Sequence, residues 1–267
     1  MALQRTTRTN QHARHDAAVH APDHVPDDAV EPDFVELWGG EPGEPADATA
    51  HVRRPLPVIA TLLGLFGIIA VAVVWHHGPL AGDARLGADL LRHRGELGWR
   101  IADAVSFCAS GPMVALLALA TAAWLIISRR QVVEGLAVLA APAAAGVVEV
   151  AMKVFVDRPR PFTAALTGES GNGFPSGHVS GFAALAVALL VVFVLAADTE
   201  PRGLQWAWTV TMILSIVLVM WARVAVGAHY VSDTVGGALL GGAIGLAMVP
   251  LVAWLATLVT RRVARPL

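Results

Sequence analysis

The stretch PLPVIATLLGLFGIIAVAVVW, residues 55–75, holds 21 residues without one charge. About 20 such residues cross the hydrocarbon core of a bilayer as a helix. Five further stretches are roughly as long and as apolar: 111–128, 132–152, 179–197, 206–222 and 235–258. Backbone exposed to lipid must satisfy its own hydrogen bonds, so each is expected to be helical. Pro142 interrupts the third and a polar turn abuts the fourth, which leaves their ends the least defined. The expected fold is all-α, a polytopic membrane bundle of about six transmembrane helices.

Composition agrees. Hydrophobic residues make up 55% and charged residues 15% of the 267, against about 45–50% and about 25% in soluble domains. Residues 1–54 differ, holding ten of the 21 acidic residues with many prolines and little apolar periodicity. They read as a disordered acidic tail without a signal-peptide core. Residues 55–260 form the membrane domain, and 261–267 a short basic tail. The net charge of −2 gives no reason to expect nucleic acid as a partner. A single cysteine, Cys108, excludes an intrachain disulfide and reads as a small buried hydrophobe.

An even number of spans puts both termini on one side, and arginine placement reads that side as cytoplasmic. Between the first two spans, residues 83–104 have the pattern of an interfacial helix. Leu86, Leu90, Leu97 and Ile101 share one face, with Arg85, Asp89, Arg92 and Glu96 on the other. In the last span Gly237, Gly241 and Gly245 are four apart, which suits close packing inside the bundle better than a dimer face.

Three polar stretches fall on the opposite, extracytoplasmic side: KVFVDRPRP (153–161), GFPSGHVSG (173–181) and ARVAVGAHYVSD (222–233). Cations at the edge of an apolar bundle need an anion, and guanidinium forks match phosphate oxygens. Lys153 is the only lysine in the chain. Backbone N–H groups of Ser176, Gly177 and His178, opening a helix, would add an anion site, with Gly177 admitting the phosphate closely. His229 and Asp233 are four apart and would share a helical face, as a carboxylate orienting an imidazole would, although taken alone an N-terminal cap explains Asp233 better. Glu149, four residues before Lys153, either pairs with it or reaches the interface. The polar loops lack the clustered carboxylates of a metal site, so neither metal nor cofactor is expected.

Lys153 to Arg160-Pro161, then Pro175-Ser176-Gly177-His178, then Arg223 to His229 to Asp233 resembles the three-part signature of the type-2 phosphatidic acid phosphatases. Soluble vanadium haloperoxidases share that site, but the six spans resemble the membrane branch. One departure is Ala222, where the family usually has serine. The resemblance implies a metal-independent lipid phosphatase. His229 would be the nucleophile forming a phosphohistidine and Asp233 its orienter. His178 would serve as leaving-group acid and then water activator. Lys153, Arg160, Ser176, Gly177 and Arg223 would bind phosphate. Arg158 lies outside the matched positions and receives no role. The expected partners are the bilayer and a lipid phosphate: phosphatidic acid, phosphatidylglycerophosphate or a polyprenyl diphosphate. A phosphotransferase using the same intermediate, or a non-catalytic lipid-phosphate carrier, remains an alternative; a carrier would have little use for two spaced histidines.

Overall fold

The structure is a computed structural model that describes residues 55–76, 78–83, 85, 96–161, 164, 168–195 and 201–263. The expected acidic tail and residues 264–267 lie outside these. The described residues form seven α-helices: α1 Leu56–His76, α2 Leu97–Cys108, α3 Gly111–Ser128, α4 Val132–Val156, α5 Gly177–Leu190, α6 Arg202–Ala225 and α7 Val231–Val263. All but α2 are long and apolar enough to span a membrane, α5 by continuing through the π-helical turn Val191–Leu195. The fold is therefore all-α with six spans, as the apolar runs indicate. Helix α7 runs through Arg261 to Val263, so the expected boundary at residue 260 is not a structural one.

The outward faces carry the largest apolar side chains. Ile68, Val71, Trp75, Ile127, Phe155 and Trp206 are all exposed. A soluble helix buries its apolar stripe, whereas a helix apolar all round requires an apolar solvent. The chain is a multi-pass membrane protein. Its interior is correspondingly small-residued: Ala141, Ala145, Ala184 and Ala188 pack α4 against α5. Association within lipid depends on such close packing, since lipid tails are as apolar as leucine.

Helix α5 lies at the centre, against α4, α6 and α7, while α1 packs on α7, α2 on α6, and α3 on α4. The glycine stripe of α7 explains the α5 contact. A Cβ at Gly237 would fall 2.7 Å from the Ser176 carbonyl oxygen, and one at Gly245 would fall 2.6 Å from that of Ala184. At Gly241 the Ser180 carbonyl is closer still. The stripe thus faces the bundle interior. Gly241→Leu is expected to force α5 and α7 apart, at about 1–3 kcal/mol for overpacking. A thermal midpoint in detergent would register the loss, and an unaltered midpoint would remove the stripe from the α5 contact.

Helix α2 covers only the described part of the expected interfacial helix, since residue 84 and residues 86–95 are not described; it ends at Cys108, past the expected residue 104. Trp99, Ala102 and Val105 pack onto Ala222 and Ala225 of α6, while Leu97 and Ile101 are exposed. The leucine–isoleucine face thus points away from the protein, as an interfacial helix requires. Cys108 corrects the expectation of burial. It is exposed, because the last turn of α2 carries it on an outer face.

Candidate active site

The site forms where four helix ends meet: the C-termini of α4 and α6 and the N-termini of α5 and α7. Lys153 occupies the last turn of α4. That helix stops at Asp157, whose φ of 49° is left-handed. Asn172 then reaches back, donating 2.8 Å to the Lys153 carbonyl and 2.9 Å to Asp157. The Gly173 N–H donates 2.8 Å to the Arg158 carbonyl. These bonds fasten Asn172 and Gly173 across the end of α4. Phe174 then drops fully into the core and stacks on Phe66 of α1, ring centroids 5.7 Å apart. Anchored this way, the chain enters α5 with Ser176 as its N-cap.

Arg160 and Arg223 converge on one carboxylate. Glu169 accepts from Arg160 at 2.8 Å and pairs closely with Arg223. Burial would raise the Glu169 carboxyl, but the Arg223 and Arg160 guanidiniums outweigh it and hold it below the ordinary carboxylate value. An acidic oxygen pair therefore rests where two planar forks point, the position a phosphate would take. No sequence reading singled out Glu169; its partners lie up to 54 residues away.

His229 and His178 line the same cavity as Lys153 and Arg160. Arg160 Nη1 lies 2.9 Å from His229 Nε2 and 3.1 Å from the Ala228 carbonyl. A guanidinium can only donate, so Nε2 must accept and the imidazole proton sits on Nδ1. Asp233 Oδ2 is 3.5 Å from that Nδ1, too long for a good hydrogen bond. Burial pushes the His229 pKa down to about 4, Arg160 and Arg223 add to it, and Asp233 opposes them. The result is a neutral imidazole with its lone pair facing the arginine forks.

The His229–Asp233 pair arises differently from a shared helical face. Helix α7 begins at Val231, so His229 precedes it. Asp233 Oδ2 accepts 3.0 Å from the Tyr230 N–H at the helix start, the reach-back of a capping box. The cap and the imidazole partner are one carboxylate. Asp233 is fully buried, and its other oxygen is taken by Arg158.

One expectation needs correction, and three other positions gain partners. The Ser176 N–H is not available to an anion, because it donates 3.0 Å to the Asp233 carbonyl; the Ser176 hydroxyl is buried and without a partner. Gly177 also makes room for a carboxylate, since a Cβ there would fall 2.7 Å from Glu149 Oε1. Glu149 itself pairs with Lys153, which resolves the alternative of an interface-seeking glutamate. Ala222 is fully buried and packs with Ala102 of α2.

A cavity of about 430 Å³ runs from these groups into the bundle. Along α4 it extends from Lys153 past Gly146 and Pro142 to Leu139, about 21 Å at 1.5 Å per residue. Val114 and Ala118 of α3 line its opposite wall.

Residues 134–256 match the PAP2 superfamily. Phosphatidylglycerophosphatase B of Bacillus subtilis (strain 168) is 31% identical over 90 residues, covering 34% of this chain and 44% of that protein. The alignment thus spans less than half of that relative. The crystal structure of a transmembrane PAP2-type phosphatidylglycerolphosphate phosphatase from Bacillus subtilis is similar at a TM-score of 0.60. It is 21% identical, over 78% of this chain and 98% of that one. That of Aquifex aeolicus LpxE is 21% identical with a TM-score of 0.46, over 62% and 93%.

Proposed function

We propose, from the premise that this chain belongs to the PAP2 superfamily, that it is a lipid phosphate phosphatase working through a phosphohistidine without a metal. One observation carries the reading. The cavity joins two histidines, Lys153 and Arg160 to an apolar wall that runs along α4 from Gly146 to Leu139, about 10 Å at 1.5 Å per residue. A soluble phosphate would leave that wall unfilled, whereas a lipid phosphate puts its chain there and its headgroup at the arginines.

In the first step His229 Nε2 attacks phosphorus as Arg160 turns from the imidazole to the phosphate oxygens. The bond to the lipid oxygen breaks, and that oxygen takes its proton from His178. Water then attacks the phosphohistidine, giving its proton to His178 and releasing phosphate with His229 restored. Asp233, 3.5 Å from Nδ1, favours the proton there by its charge throughout. Lys153, Arg160, Arg223 and the unpartnered Ser176 hydroxyl carry the phosphate charge, with Gly177 letting Glu149 hold Lys153 beside it. Positive charge thus comes from side chains rather than from a bound cation. The relative's name makes phosphatidylglycerophosphate the first substrate to try, beside phosphatidic acid and polyprenyl diphosphate. The arginine asymmetry supports cytoplasmic termini with the site outside.

The test is phosphate release by the detergent-solubilised chain from a panel of lipid phosphates. Turnover is expected with EDTA present and is expected to fall with vanadate. Inactivity across the panel would refute the phosphatase, and loss with EDTA restored by a divalent metal would refute metal independence.

A further inference from the structure

Arg158 was left without a role by the motif, yet it is the most fully engaged side chain beside the site. It is 2% exposed. Nη1 donates to Asp233 and, at 2.8 Å, to the Ser232 hydroxyl. Nη2 donates 2.9 Å to Asp83 Oδ2 and 3.0 Å to the Gly78 carbonyl. The guanidinium carbon stands 4.6 Å over the Tyr230 ring. Asp83, beyond the end of α1, is itself fixed. It accepts from the Ser232 N–H at 3.0 Å, the Ser232 hydroxyl at 2.6 Å and the Leu80 N–H at 2.9 Å.

We propose that Arg158, held by Asp83, is a positioning residue that aims Asp233 at His229 and shares its negative charge. The inference rests on the proposed role of His229 as nucleophile. With Arg158 on Oδ1 and the Tyr230 N–H on Oδ2, Asp233 cannot rotate. Its charge is also divided: one buried cation serves two carboxylates, Asp83 and Asp233. Burial would raise the Asp83 carboxyl, but the bonds from Ser232, Leu80 and Arg158 hold it below its ordinary value, so it stays ionised to pin Arg158. A buried charge is tolerated only when paired and hydrogen-bonded, and every donor atom of this fork except Nε has a partner.

The consequence falls on His229. Around it stand Arg160 after α4, Glu169 in the connection, His178 on α5, Arg223 on α6 and Asp233 on α7. Only the two carboxylates favour the imidazolium. A partly neutralised Asp233, 3.5 Å from Nδ1, favours the proton there by its charge without drawing a second proton onto Nε2, which must keep its lone pair to attack.

The experiment follows the His229 resonance with pH in the full-length chain, in detergent with 15N-histidine, assigned by its loss in His229→Gln. Arg158→Gln is expected to raise the His229 midpoint by about one unit or more, because a nearby carboxylate stripped of its cation favours the charged imidazole. Arg158→Lys keeps the cation, so the midpoint should hold while kcat falls about tenfold or more at unchanged KM, through lost aim. An unmoved midpoint in Arg158→Gln overturns the proposal. Should that variant fail to accumulate, Asp83→Asn decides: kcat must fall at unchanged KM, and full activity overturns it. An unmodified chain whose His229 titrates as described but which turns over no lipid phosphate would instead overturn the proposed function.

Discussion

His229→Ala is expected to abolish lipid-phosphate turnover, by about 10⁴–10⁶-fold, the scale on which a covalent nucleophile is lost. The geometry gives the reason. His229 is buried, neutral at physiological pH, and has Nε2 turned to the arginines that would grip phosphate. No other imidazole at the site has that setting, so the loss should extend to every substrate, aryl phosphates included. The check combines steady-state assay with acid-stable against acid-labile phosphoprotein after rapid mixing, since phosphohistidine is acid-labile. Retention of a labile phosphoenzyme in the variant would remove His229 from the nucleophile's role. Binding need not fail with it: the variant should still hold vanadate or phosphate, because Lys153, Arg160 and Arg223 remain.

His178→Ala is expected to separate substrates by leaving group. It opens α5 and lines the cavity with His229 and Lys153. Donating a proton to a departing lipid alkoxide is worth about 10²–10⁴-fold. An aryl oxide leaves without that help, as does a phosphate from a diphosphate. Formation of the phosphoenzyme should therefore drop steeply with an alkyl phosphate and far less with an aryl one. Rapid quench isolates this step from the hydrolysis that follows, in which His178 also activates water. Equal losses on both substrates would reject His178 as the acid and leave it a role in the second step alone.

The sequence by itself determined the solvent and pointed to a chemistry. Six apolar runs specify spans because each must close its own backbone hydrogen bonds in lipid, and that condition is satisfied within about 20 consecutive residues. Lys153, Arg160, His178, Arg223, His229 and Asp233 were legible as candidates because they fall in three polar stretches at the ends of apolar runs and resemble a family signature. What only the tertiary structure decided was which of these groups are shared, blocked or held. Asp83 reaches Arg158 across 75 residues and Glu169 reaches Arg223 across 54. Ser176 gives its N–H to Asp233, and Gly177 makes room for Glu149. Such partnerships depend on where helices cross, and in this bundle glycine and alanine let them cross closely enough for backbone carbonyls of α5 to meet α7. The spacing of Gly237, Gly241 and Gly245 marked a close-packing face on α7 but carried no sign of which helix it meets. Arg158 was therefore one more arginine beside a motif until packing enclosed it with two carboxylates, where a buried cation can only be an organising one.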